Sequence, residues 1–252
     1  MSIVTKQLKN FVNLIIDQGN TQIKTGVFDK WHLVHSDSYN ILDKNKLQNI
    51  VRKYDIDKCI LSSVTAPDKN ILIKELSEII PGFMQLSHDT PLPFKVDYKT
   101  PETLGKDRVA VVAGGIYHYP GKDLLIIDAG TAITYELVTK DGVYHGGNIA
   151  PGLQMRYKAL NTFTSRLPLP DFKEQQELMG KSTEEAIHAG VQWGMVNEIE
   201  GYISRLEAEY PEILILFTGG DTNFFVKKLK KRIFVHLNLV LTGLNRILEY
   251  NG

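Results

Sequence analysis

The chain has 252 residues, with 29 Lys+Arg balanced by 29 Asp+Glu, seven histidines, 43% hydrophobic residues and one cysteine. That length allows one large domain or two modest ones. The balanced charge argues against nucleic-acid binding through phosphate neutralisation, and one cysteine cannot close an internal disulfide.

No Cys/His cluster has zinc-ligand spacing, and no apolar run approaches the roughly 18 residues of a membrane span. The N-terminus lacks the small-residue cleavage site of a signal peptide. The expectation is a cytoplasmic globular protein with neither nucleic acid nor membrane as partner. Residues 1–10 form a polar leader. Residues 11–16 are an apolar, β-branched run that ends in Asp17-Gln18-Gly19-Asn20-Thr21, the pattern of a buried strand entering a tight turn. Residues 26–28 and 31–36 predict two further strands across Asp29-Lys30. A helix is expected over 44–54, a strand over 59–64 and a helix over 68–80, giving β-β-β-α-β-α.

A second round follows. A helix over 101–117 opens on Pro-Glu, and 123–128 reads as a strand. Residues 132–139 and 143–149 predict a hairpin, 164–170 an irregular loop, and 181–210 a long helix with Thr183 as its cap. A strand over 212–217, a helix over 223–231, a strand over 233–236 and a helix over 239–250 complete the chain. Leu14-Ile15-Ile16-Asp17-Gln18-Gly19-Asn20-Thr21 aligns without gaps on Leu125-Ile126-Ile127-Asp128-Ala129-Gly130-Thr131-Ala132. With matching strand order downstream, this reads as an internal duplication. The doubled unit resembles the α/β fold of the actin-like (ribonuclease H-like) ATPases and sugar kinases. That fold implies two half-domains, here 11–100 and 101–252, with an ATP cleft between them.

Several segments carry groups suited to phosphate chemistry. Asp17 to Lys24 can wrap phosphate, with Gly19 allowing close backbone approach, Asn20 and Thr21 as donors, and Lys24 as a point charge. Asp17 is a candidate magnesium ligand. Gly180-Lys181-Ser182-Thr183 mimics the end of a P-loop, but Gln175 stands where the earlier glycine is required, so it reads as a helix start. In Gly105-Lys106-Asp107-Arg108, Asp107 can accept a hydroxyl proton and Arg108 can fork onto an anion. Asp128 and Thr131 place a second carboxylate and a hydroxyl at a strand end. His32 and His35 read as ordinary histidines, and the run from Lys227 to Arg232 as a solvated helix end.

Five motifs in order resemble the type III pantothenate kinase family: Asp17–Lys24, Gly105–Arg108, Asp128–Ala132, Gly146–Gly152 and Thr218–Gly220. The resemblance implies a kinase that phosphorylates pantothenate in coenzyme A synthesis. It further implies that Asp17, Gln18, Gly19, Asn20, Thr21, Gln22, Ile23 and Lys24, with Thr131, bind magnesium-ATP. Tyr98, Gly105, Lys106, Asp107, Arg108 and Thr183 would bind pantothenate, with Asp107 as general base. Asp128 would hold a monovalent cation, potassium or ammonium, and the protein would be a homodimer. Lys106 stands where the family commonly has alanine, and the leader is longer than usual. The alternatives are a non-catalytic regulator on the same scaffold, or an actin-like kinase for another small hydroxyl or carboxylate substrate.

Overall fold

The computed structural model describes residues 12–19, 22–64 and 71–252. Phe11, Asn20, Thr21 and the expected helix start at Asp68 lie outside the described residues. The chain forms two compact units. One takes the chain up to Pro93 together with Thr100–Tyr117 and Leu239–Gly252, and the other takes Phe94–Lys99 and His118–Asn238. The units are not separated by one cut near residue 100, because two late segments join the first.

In the first unit, β1 (Val12–Gln18), β2 (Ile23–Asp29) and β3 (His32–Tyr39) form an antiparallel meander. β4 (Lys58–Ser63) pairs parallel with β1, and β5 (Gly82–Gln85) with β4, giving the order β3-β2-β1-β4-β5. Side chains of β1 alternate between faces. Leu14 and Ile16 pack on one face with Leu47 and Ile50 of α1 (Lys44–Tyr54) and Leu72 and Leu76 of α2 (Ile71–Ile79). Asn13 takes the other face, where its amide donates to Asn245 Oδ1 of α7 (Leu239–Tyr250) at 2.9 Å and also bonds Glu249. Asp17 shares that second face by the same period of two. The single cysteine, Cys59, is buried in β4, and burial pushes its thiol far up, which leaves it unreactive.

Helix α3 (Lys106–His118) crosses α7 in this unit at unusually short range. A Cβ on Gly243 would fall onto the Ala110 carbonyl, and one on Gly114 would lie 2.5 Å from the Leu239 carbonyl. The segment 101–117 is not one helix, as the Pro-Glu start had suggested. A single 3-10 turn spans Pro101–Thr103, the chain extends at Leu104, and α3 begins only at Lys106.

The second unit repeats the plan. β7 (Leu124–Ala129), β8 (Ala132–Thr139) and β9 (Val143–Pro151) form the meander, β10 (Leu214–Thr218) pairs parallel with β7, and β11 (Phe234–Val235) with β10. The order β11-β10-β7-β8-β9 mirrors the first sheet, with the short β6 (Lys95–Val96) added beside β9. Leu125 and Ile127 face a core with Leu153 and Tyr157 of α4 (Leu153–Thr162), Ile199 of α5 (Thr183–Glu209) and Phe225 of α6 (Thr222–Val226). α4, β5 and β6 carry no sequence-based expectation, and α6 ends at Val226 rather than 231. The cap of α5 is Ser182 and not Thr183. The Ser182 hydroxyl accepts from Glu185 N at 3.2 Å, and the Glu185 carboxylate accepts from Lys181 N at 2.7 Å. This capping arrangement explains the P-loop look-alike without any phosphate.

The α3–α7 crossing is sensitive to one side chain. Gly243→Val would force the helices apart at a cost of roughly 3 kcal/mol or more. Thermal unfolding should shift down by roughly 6–12 °C, and an unchanged midpoint would show that the crossing yields freely.

Candidate active site

At the carboxyl end of β1, the strand register sets the neighbours of Asp17. Lys24 lies opposite it on β2 and Ser62 on β4. Ser62 hydrogen-bonds the carboxylate, Lys24 attracts it, and Asp107, in the first turn of α3, repels it. Burial outweighs these and pushes Asp17 up to about 6, with the Asp107 charge acting in the same direction. Gln18 points to the opposite face, where its side-chain oxygen accepts from Ser63 Oγ at 2.7 Å. Gly19 N donates to Gln22 O at 3.0 Å and closes the turn between β1 and β2.

The start of α3 supplies the second carboxylate. Asp107 is exposed, and its Oδ1 accepts from Arg108 N at 2.8 Å. A Cβ on Gly105 would lie 2.6 Å from that same Oδ1, so residue 105 must lack a side chain for Asp107 to fold back in this way. Lys106 Nζ donates to Ser63 O at 3.2 Å, and burial holds its ammonium below the usual lysine range. Arg108 is buried. The first unit therefore gathers Asp17, Lys24, Lys106 and Asp107 at one end of its sheet.

In the second unit, Asp128 occupies the register position that Asp17 has in the first, paired with Thr218 on β10 and Thr134 on β8. Here the crowding comes from backbone. Gly219 adopts φ +96°, and a Cβ on it would meet the Ala129 carbonyl and lie 2.5 Å from Asp128 Oδ1. The Ala129 carbonyl, which accepts from Asp221 N at 2.9 Å, and Asp128 Oδ1 thus both lie against the Gly219 backbone. Thr131 is exposed in the next turn, and its carbonyl accepts from Gly152 N at 3.1 Å.

Tyr98 follows β6, its ring stacked on Tyr144 with centroids 6.4 Å apart, and its edge lies over Gly146. The Tyr144 hydroxyl donates to the fully buried Glu136 at 2.6 Å. Thr183 stands exposed at the start of α5. In the expected solvated lysine run, Lys227, Lys230 and Arg232 are exposed and Lys228 is not. Lys228 has 5% side-chain exposure, pairs with Glu174 at 3.5 Å, donates to Gln175 O at 2.8 Å and lies over the Trp193 ring. Gln192 adds bonds to Lys173 O and Gln175 N, so the 163–182 segment is fastened to α5. Gln192, a polar residue in the middle of an apolar helix face, was the sequence signal for this fastening. Among the described residues, no three His, Cys, Asp or Glu side chains cluster as a metal cage, and no helix is long and apolar enough to cross a membrane.

Two sheets of matched strand order define an actin-like ATPase fold, and solved structures of low identity share it. A structure described as a conserved putative Baf family transcriptional activator, from Campylobacter jejuni, superposes with TM-score 0.62 at 23% identity, covering 94% of this chain and 98% of that one. A putative N-acetylmannosamine kinase from Listeria monocytogenes superposes with TM-score 0.56 at 13% identity, covering 96% and 100%. The family model for type III pantothenate kinase matches residues 13–205. A type III pantothenate kinase of Bacteroides fragilis is 49% identical over 96% of this chain and 99% of its own, and one of Phocaeicola vulgatus is 46% identical over 95% and 99%. The chain belongs to the type III pantothenate kinase family.

The raised pKa of Asp17 has a stability consequence. The folded protein holds this proton up to pH of about 6, whereas an unfolded aspartate releases it near 3.9. Stability of the ligand-free protein should therefore fall as pH rises between these values. Asp17→Asn removes the penalty, so the variant should exceed the parent by roughly 2–3 kcal/mol at pH 8 and by much less at pH 4. Urea unfolding at both pH values measures this, and equal stability at pH 8 would count against a strained Asp17.

Proposed function

We propose that this chain transfers the γ-phosphoryl group of ATP to the primary hydroxyl of pantothenate, giving ADP and 4′-phosphopantothenate, the first step of coenzyme A synthesis. Membership of the kinase family across residues 13–205 carries this reading. The grouping of Asp17, Lys24 and Asp107 in the first unit supports it further, since a non-catalytic regulator has no use for a costly carboxylate.

Asp17, Gln18, Gly19, Asn20, Thr21, Gln22, Ile23 and Lys24 hold the phosphate chain of ATP, with Lys24 offsetting its charge. Thr131 contacts the nucleotide. Asp107, exposed beside Gly105, takes the proton of the attacking hydroxyl. Lys106 brings a partly desolvated ammonium to the substrate segment, and Gly105 and Arg108 bind pantothenate beside it. Tyr98, set by its stack on Tyr144, and Thr183, at the N-terminus of α5, contact pantothenate.

The donor set at Asp17 suits magnesium, which binds through one or two carboxylates and completes its shell with water and phosphate oxygens. The Asp128 carboxylate, at the matching strand end of the second unit, holds a monovalent cation, potassium or ammonium. Both ions, when bound, supply positive charge that offsets the charge of the transferring phosphoryl group. A homodimer accords with exposed apolar side chains along residues 149–179 of the second unit, among them Ile149, Phe163, Leu178 and Met179. A cytoplasmic setting accords with ATP as the donor.

Asp107→Asn keeps the size and removes the proton acceptor, so kcat should fall roughly 10²–10⁴-fold with folding intact. Coupled ADP release in the presence of pantothenate measures it, and near-parental turnover would reduce Asp107 to a helix-start residue. At Asp128, turnover in potassium or ammonium chloride should exceed that in sodium chloride, whose cation is smaller and more tightly hydrated. Asp128→Asn should blunt the difference, and equal rates of the parent in all three salts would remove the cation role.

A further inference from the structure

The turn that carries Thr131 rests on a second bend of the chain, and a polar relay fixes that bend from behind. Gly130 N donates to Ala132 O at 3.0 Å, and the Thr131 carbonyl accepts from Gly152 N at 3.1 Å. The turn between β7 and β8 therefore lies directly on the Pro151–Gly152 bend, where β9 passes into α4. Contact is close enough that a Cβ on residue 152 would fall onto the carbonyls of both Gly130 and Thr131.

Arg156, one turn into α4, holds the bend. Its Nε donates to Pro151 O at 2.8 Å, and an η nitrogen donates to Glu198 Oε2 of α5 at 2.7 Å. The other oxygen of Glu198 accepts from the Tyr135 hydroxyl at 2.8 Å. Tyr135 closes the circuit, because it sits in β8 opposite Ile127 of β7 and packs against Tyr202 of α5 with centroids 4.4 Å apart. The side chains of Arg156 and Glu198 are only 20% and 26% exposed, so water competes weakly for these charge-assisted bonds. Burial and the Glu198 carboxylate both push the Tyr135 hydroxyl far up, which keeps it a donor.

We propose that Arg156 is a positioning residue for the nucleotide and cation side of the reaction. It acts through the Pro151–Gly152 bend on the turn bearing Thr131 and on the neighbouring Asp128, while Glu198 and Tyr135 fix its guanidinium. The inference rests on the assignment of Thr131 to ATP and of Asp128 to the cation. A loosened turn misplaces both groups together, and phosphoryl transfer depends on alignment. Neither group is proposed to touch pantothenate, so the effect must be one-sided.

Steady-state kinetics of Arg156→Gln, Arg156→Lys, Glu198→Gln and Thr131→Ala test it, varying ATP, pantothenate and potassium in turn. Arg156→Gln should raise KM for ATP about tenfold and move half-activation by potassium to higher concentration, with KM for pantothenate within about twofold of the parent. Arg156→Lys keeps the charge toward Glu198 but lacks the fork that spans both acceptors, so it should fall between. Arg156→Gln combined with Glu198→Gln should be less than additive, as for residues in one network. Equal rises in both KM values, or unchanged constants with only less folded protein, would overturn the proposal. Where Arg156→Gln fails to fold, Arg156→Lys carries the same readouts. An unchanged KM for ATP in Thr131→Ala would remove the assignment on which the inference rests, whereas a change there without one in the Arg156 variants would overturn the brace alone.

Discussion

A carboxylate held short of water at the end of a central strand is the constraint around which the first unit is organised. Asp17 is on the face of β1 that meets α3 and α7 because strand side chains alternate, and Asn13 four residues earlier has already set that face. Its two cross-strand neighbours are of the right kind, a lysine on one side and a hydroxyl on the other, and still burial prevails. The start of α3 then brings a second negative charge to the same place. Such an arrangement is poorly satisfied alone and improves when positive charge arrives, which is how a binding site differs from a core.

The twin position in the second unit shows how a duplicated frame diverges. Asp128 has the register of Asp17, with Thr218 in place of Ser62 and Thr134 in place of Lys24. Losing the lysine removes the fixed cation. Gly219 then brings backbone close to the carboxylate where the first unit has side chains. One strand end therefore carries its own counter-charge and the other does not. A difference of a few residues around one repeated aspartate accounts for both.

Much of this was legible in the sequence. The two runs ending in Asp17 and Asp128 show the central strands, the turn glycines and the repeat directly, because strands buried on both faces read as unbroken apolar runs. α4 escaped notice although Leu153, Tyr157 and Leu160 stand at helical spacing, because Pro151-Gly152 drew the reading towards a flexible loop. The 3-10 turn at Pro101–Thr103 escaped because Pro-Glu favours any helix start and Gly105 was read as part of the helix. Lys228 was misjudged because charge runs are read as solvated. Its ammonium meets a backbone carbonyl and an aromatic ring supplied from more than thirty residues away. Long-range partners of that sort leave no local pattern. The same is true of Arg156 and Glu198, 42 residues apart.

The first unit is completed by the last helix. Asn245 of α7 accepts from Asn13, 232 residues earlier, and donates to the Lys30 carbonyl at 3.0 Å, while Gly243 seats against α3. During synthesis, the opening strands therefore lack this part of their cover until α7 has been made. The second unit is contiguous apart from its short edge strand and ends at Asn238, just before α7 begins. Asn13, on the strand that bears Asp17, thus finds its partner only in a helix made after the strands of both sheets.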